Sequence, residues 1–176
     1  FVFMEQSNYA KALQYNFFAL KIYEQTNNLI KLSSICNNIG VIYKSQEEYF
    51  KAITYYEKCL AIQEKIKDKN IGFTTNNIGL VYLSQKERDL PKALEYFKKA
   101  KIYFDKYPNS KGSSQLNYNF GRYYNEVGQK DKAIEYLQDK YGEESYWQVS
   151  EKTNEVIDPL TIDPEKYAEV APQINS

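Results

Sequence analysis

An internal repeat of about 40 residues constrains the fold of this 176-residue chain more than any other feature. One segment, with a glycine followed three residues later by a tyrosine, occurs at residues 36–43, 75–82 and 117–124. A second segment, built around a Lys-Ala pair, occurs four times, and its alanines are Ala12, Ala52, Ala93 and Ala133. Self-similarity at a fixed period indicates an architecture of stacked, equivalent units.

Both segments have the apolar spacing of an α-helix. Apolar residues at intervals of three and four follow the second Lys-Ala pair, at Tyr55, Tyr56, Cys59 and Leu60. Short polar stretches at 45–48 and 128–131 join the two segments, which predicts antiparallel helical hairpins. A glycine inside a helix costs about 1 kcal/mol relative to alanine, so its recurrence needs a packing reason. We expect a close crossing of the two helices at the glycines, which are Gly40, Gly79 and Gly121.

This pattern resembles the tetratricopeptide repeat over roughly residues 1–140. The resemblance implies an all-α, right-handed α-solenoid of antiparallel hairpins, with about three and a half repeats. The expected array spans 1–141: a partial repeat at 1–30, repeats at 31–69 and 70–110, and a terminal repeat at 111–141. The period exceeds the usual 34 residues. This longer form is similar to the repeats of kinesin light chains, Leu-Gly-Asn-type adaptors, Rap-like regulators and sensor kinases.

Two places depart from the repeat. The turn around residues 86–89 has two extra residues, and 107–112 is expected to be a loop between repeats, with Pro108 and Gly112 as helix breakers. The first copy lacks its own first helix except for residues 1–6. The chain therefore resembles an array cut within a repeat. Its first complete helix should be poorly covered at Tyr15, Phe17, Phe18, Leu20 and Tyr23 unless a neighbouring repeat or a partner chain packs there.

In the family that the chain resembles, the first helices line a concave groove that binds a peptide. An asparagine amide both donates and accepts hydrogen bonds, so a column of asparagines two residues before each glycine can pair with an extended peptide backbone. Basic residues in the groove would attract an acidic ligand. The alternative for the asparagines is capping or hydrogen bonding within the solenoid. The groove residues implied by the resemblance are Asn37, Asn38, Val41, Lys44, Ser45, Asn76, Asn77, Leu80, Ser84, Asn119, Arg122 and Asn125.

The sequence argues against an enzyme. It has no histidine, no phosphate-binding glycine loop, no paired nucleophile and base, and no cluster of metal ligands, so we expect no cofactor and no metal. Cys36 and Cys59 lie at core spacing and should be buried, with a redox switch as the lesser alternative. Two cysteines make no disulfide framework, which favours a reducing, cytoplasmic location.

Membranes and nucleic acids are not expected partners. No apolar run approaches the roughly 20 residues that span a bilayer. The tyrosines sit at core spacing instead of forming a base-stacking surface interleaved with basic residues.

The C-terminal part, 142–176, carries no further repeat and is expected to be an irregular acidic tail. Residues 141–176 have a net charge of −6, whereas the preceding 140 residues have +6. Asp163 followed by Pro164 predicts a short helix over 164–170. One hypothesis is that this acidic tail contacts the basic array and competes with an external ligand. The alternative is a capping segment or a linker to a further domain.

These features favour a protein-interaction scaffold or adaptor that binds a peptide or partner protein. A sensory or regulatory segment of a larger signalling protein and a structural subunit of a large assembly are the alternatives. Nothing in the sequence indicates the oligomeric state.

Overall fold

The computed structural model describes residues 2–141 and two short stretches, 148–149 and 156–157. The chain divides into two compact units, Phe1–Ser113 and Ser114–Ser176. The helices described are α1 Val2–Gln25, α2 Leu29–Ser45, α3 Tyr49–Ile66, α4 Ile71–Ser84, α5 Leu90–Lys106, α6 Ser110–Glu126 and α7 Lys130–Tyr141. The all-α prediction is confirmed for the array, and none of the helices described between residues 2 and 141 is long and apolar enough to cross a membrane.

Two short strands lie in the part that was expected to be irregular. β1 Gln148–Val149 and β2 Val156–Ile157 pair antiparallel, with Gln148 opposite Ile157. The remaining tail predictions, including the helix over 164–170, lie outside the described residues.

Short polar links separate the helices of each hairpin. The link between α2 and α3 is residues 46–48, where Glu47 has a positive φ of 60°. The link between α4 and α5, residues 85–89, has the two extra residues seen in the sequence. Helix α2 is capped by Asn28, whose side-chain oxygen accepts the backbone N–H of Lys31 at 3.1 Å. This cap supplies a hydrogen-bond partner to one of the free backbone N–H groups at the start of α2.

The structure corrects two sequence-based expectations about where helices begin and end. Gly112 is not a helix breaker: the loop is only 107–109, and Gly112 lies in the first turn of α6. The helix continues there because the Asn109 side-chain oxygen accepts the Gly112 N–H at 2.9 Å. A side chain at Gly112 would also collide with the ring of Phe104, so a glycine is required by packing. In addition, residues 2–6 are not part of a separate first helix, because α1 is continuous from Val2.

The core of the first unit consists of residues shared by successive helices. One buried cluster joins α1, α2 and α3 through Leu20, Leu32, Cys36, Ile39 and Cys59. The expectation of poor cover is therefore wrong for Leu20, which α2 and α3 bury, whereas Tyr15, Phe17 and Phe18 are exposed. A second cluster joins α3 to α4 through Ala52, Tyr56, Ile78 and Val81. Because each helix is buried against the next, the apolar stripes predicted from the sequence form one stack within this unit.

The second unit has its own buried residues on α6 and α7. Leu116, Phe120 and Tyr123 of α6 are buried, as are Ala133 and Leu137 of α7. The rings of Phe120 and Tyr136 stack with their centroids 4.8 Å apart. This hairpin therefore repeats the arrangement of the first unit with different apolar side chains.

The three predicted glycines lie at close helix crossings. A Cβ added to Gly40 would lie 2.6 Å from the ring of Tyr56, and one added to Gly121 would lie 2.5 Å from Leu137. One added to Gly79 would lie 2.7 Å from the ring of Phe97. The close crossing is thus confirmed, with one refinement. Each glycine mainly makes room for a large side chain that lies four residues after the alanine of the Lys-Ala pair, such as Tyr56 after Ala52.

Candidate functional site

Helices α2 and α4 are the first helices of the two hairpins in the first unit. The predicted groove residues that they carry define the first-helix face: Asn37, Asn38, Val41, Lys44, Ser45, Asn76, Asn77, Leu80 and Ser84. The two helices meet through a side-chain hydrogen bond in which Asn77 Nδ2 donates to Asn37 Oδ1 at 3.4 Å. Asn37 lies three residues before its glycine, whereas Asn77 lies two residues before its own. The bond therefore joins staggered positions of the two repeats. For this pair, hydrogen bonding within the solenoid, the alternative raised by the sequence, is what the structure shows.

The predicted groove residues differ in their accessibility. Asn38, Val41 and Ser45 of α2 are exposed. The partly buried members on α2 and α4 are Asn37, Lys44, Asn77, Leu80 and Ser84. Asn76 is only 1% exposed, so its side chain faces the interior instead of a ligand. The accessible amides of this face are accordingly those of Asn37, Asn38 and Asn77.

In the second unit, α6 carries the three remaining predicted residues. Arg122 is exposed and Asn125 is partly buried. Asn119 is 2% exposed. Its buried side chain is not placed for direct ligand contact, so Arg122 is the accessible charged group that the prediction identified on this helix.

The charge of the first-helix face is positive. Lys44 is the charged residue among those that define this face, and Lys31 is the other basic residue of α2. Neither α2 nor α4 contains a carboxylate. Carboxylates occur instead on α3, at Glu57 and Glu64. A ligand on the first-helix face would therefore meet a cation and amides without opposing negative charge from the two helices that form it.

Each hairpin is held at its turn by the same three side chains, a combination that the sequence reasoning did not identify. A tyrosine of the first helix stacks on a tyrosine of the second, and a lysine lies over the first ring. The ring centroids are 5.7 Å apart for Tyr43 and Tyr55, 5.6 Å for Tyr82 and Tyr96, and 5.4 Å for Tyr124 and Tyr136. The lysine nitrogens lie 5.2–5.4 Å from the ring centroids, and they belong to Lys51, Lys92 and Lys132.

The signal for this arrangement was present in the repeat. The lysine is the one in each Lys-Ala pair, and the second tyrosine follows it by four residues. The same contacts recur in three hairpins, so each of these hairpins is fastened in the same way near its turn.

The two cysteines belong to the core, as predicted. Cys36 and Cys59 are free thiols with no exposed surface. Burial raises the pKa of the Cys59 thiol from 9.0 to about 11, and burial also raises that of Cys36. The Cys59 sulfur lies 3.4 Å from the Thr74 hydroxyl oxygen. Buried, protonated thiols are poor nucleophiles and poor metal ligands. Among the residues that the structure describes, no group of three or more acidic, cysteine or histidine side chains is placed to hold a metal ion.

Antiparallel helical hairpins that each have a glycine at the helix crossing and a stacked tyrosine pair near the turn define an all-α helical repeat protein. Models of one family, the tetratricopeptide repeat, match residues 31–100 and 114–139. The chain belongs to the tetratricopeptide repeat family, and the resemblance predicted from the sequence is confirmed.

Solved structures support the same fold. BtubC (BKLC) from P. vanneervenii is similar with a TM-score of 0.66 and 22% identity, over 77% of this chain and 56% of that chain. The apo form of RapI is similar with a TM-score of 0.59 and 21% identity, over 78% of this chain and 62% of that one. The chain thus spans about three-fifths of these two proteins. No curated protein sequence matches it.

Proposed function

We propose that this chain is a non-catalytic interaction module that binds an acidic segment of a partner protein on the first-helix face of its first unit. The observation that carries the proposal is the composition of that face, where accessible asparagine amides lie with Lys44 on two helices that contain no carboxylate. Family membership supports the general role, because stacked repeats of this kind present extended surfaces for other polypeptides.

The face offers three kinds of contact to an extended peptide. The amide of Asn38 is exposed and can donate to and accept from a peptide backbone. Val41 and Leu80 supply accessible apolar surface, and Lys44 supplies positive charge near the end of α2. The hydrogen bond between Asn37 and Asn77 holds two of the amides in place before a ligand arrives, which lowers the entropy lost on binding.

A titration with a labelled acidic peptide tests the proposal. The probe is a blocked peptide of sequence Glu-Glu-Ser-Tyr-Trp, which copies residues 143–147 and is followed by fluorescence anisotropy. We expect the double variant Asn38→Ala with Lys44→Gln to bind at least about tenfold more weakly, since it loses a hydrogen bond and a charge.

The matched control is Lys65→Gln, which removes an exposed lysine from α3 and should leave the affinity unchanged. A version of the peptide with both glutamates replaced by glutamine should bind weakly to the parent chain. Equal affinity of the double variant and the parent chain would exclude this face as the binding site.

We also propose that the acidic tail, residues 142–176, competes for the same ligand site. It carries the chemistry expected of that ligand, because its region has a net charge of −6. Replacing Glu143, Glu144, Glu151 and Glu155 by glutamine should therefore raise the affinity for the acidic peptide several-fold. If the affinity stays the same at low and moderate salt, the tail is not a competitor, and the proposal for the first-helix face is unaffected.

A further inference from the structure

A second accessible surface lies on α3 and on the link that follows α4. An open pocket of about 800 Å³ is lined on one side by Tyr49, Phe50 and Ile53 and on the other by Tyr82 and the 85–87 stretch. Phe50 is 84% exposed, the highest value among the large apolar side chains described in the chain. The pocket lies entirely within the first unit.

Two parts of the lining, Phe50 and the longer link, depart from the repeat, so the stacking of hairpins does not explain them. The position of Phe50 is occupied in the other copies by Ala10, Pro91 and Asp131. The opposite wall belongs to the longer link, residues 85–89, where the equivalent link after α2 has only three residues. An exposed aromatic side chain that packing does not require is typical of a recognition surface.

The pocket has a charge opposite to that of the first-helix face. Glu57 and Glu87 line it, and within the described residues neither carboxylate pairs with a cation. Lys86 is the one basic residue of the lining, so carboxylates are in excess. Elsewhere on the same unit, exposed glutamates such as Glu24 and Glu95 form ion pairs with lysines. The two carboxylates are thus available to an incoming cation.

From this combination we infer that the pocket binds an arginine side chain, flanked by apolar residues, from a partner protein. A guanidinium group is planar and weakly hydrated, so it stacks on aromatic rings and pairs with a carboxylate at the same time. Phe50 and Tyr49 supply the rings, and Glu57 and Glu87 supply the carboxylates. The acidic tail of this chain is excluded as the occupant by its charge.

The test uses the full chain and a blocked pentapeptide with one arginine between leucines, titrated by NMR. The parent chain should bind it, and a peptide with citrulline in place of arginine, which keeps the shape and removes the charge, should bind at least about fivefold more weakly. The single variant Phe50→Ala should weaken binding of the arginine peptide by a similar factor. The double variant Glu57→Gln with Glu87→Gln should do the same.

Ile102→Ala is the matched control, because it removes another exposed apolar side chain from a second helix of the same unit. It should bind like the parent chain. Since Phe50 is exposed, its replacement should leave the far-UV circular dichroism and the Tm unchanged, so that a loss of binding reports the surface itself. The inference is overturned if the arginine and citrulline peptides bind equally, if neither binds at millimolar concentration, or if Phe50→Ala binds as the parent does. None of these results bears on the first-helix face.

Discussion

Single residues explain why the hairpins of this chain pack so closely. Gly40, Gly79 and Gly121 each leave room for a large side chain of the second helix, and alanines such as Ala93 are fully buried beside the crossing. These positions could be predicted because the repeat shows the same small residue three or four times. A single copy would not have distinguished a packing glycine from a chance one.

Substituting Gly79 by alanine should destabilise the protein. The new methyl would lie 2.7 Å from the Phe97 ring and 3.2 Å from the backbone oxygen of Ala93, which cannot rotate away. We expect a loss of about 1–3 kcal/mol in the free energy of unfolding, although alanine is the better helix former by about 1 kcal/mol. Urea denaturation measures the change.

Ser34→Ala, an exposed substitution in the middle of α2, serves as the control and should change stability by less than about 0.5 kcal/mol. If Gly79→Ala proved as stable as the parent chain or more stable, the close crossing at this glycine would be refuted.

The accessibility of the individual asparagine side chains could not be predicted from the sequence. Their recurrence before each glycine predicted a column, but Asn37 bonds to Asn77, one position out of register, and Asn76 and Asn119 are buried. The stagger between neighbouring repeats depends on how successive helices pack, and no single repeat encodes it. Pattern alone could therefore place the amides on the first helices but could not say which ones remain accessible.

Among the elements, the helices were predictable and the details of their ends were not. Apolar spacing located each helix, and the longer link at 85–89 was visible as two extra residues. The sequence predicts Gly112 as a helix breaker because glycine is a poor helix former and follows Pro108 closely. The structure shows it inside α6, where the Asn109 side chain caps the helix and Phe104 fills the space a side chain would need.

Helix α2 should lose stability when its cap is removed. The Asn28 side-chain oxygen accepts the Lys31 N–H, so Asn28→Ala should lower the free energy of unfolding by about 1 kcal/mol. Asn70 stands at the same position before α4 but makes no such side-chain bond to the helix, which makes Asn70→Ala the natural comparison. Thermal unfolding followed by circular dichroism should rank the Asn28 variant below the Asn70 variant. The reverse order would show that the cap contributes little.

At the scale of the molecule, two surfaces of the first unit differ in charge and in origin. The first-helix face follows from the repeat, and its lysine and amides favour an acidic polypeptide. The pocket around Phe50 contains two departures from the repeat, and its carboxylates, which pair with no cation of the described residues, favour a basic one. The first surface could be anticipated from family resemblance. The second could not, since it depends on the position of one exposed ring relative to a link in the next hairpin.

Hydrogen–deuterium exchange with and without the acidic peptide shows whether the ligand binds on the first-helix face. Saturating peptide should slow exchange of backbone amides in residues 29–45 and 71–84, because a ligand lying across α2 and α4 suppresses their local opening. The backbone amides of α3 around Phe50 should exchange at the same rate with and without peptide. Protection confined to α3 and α5, or no protection at concentrations where anisotropy reports binding, would rule out binding on this face.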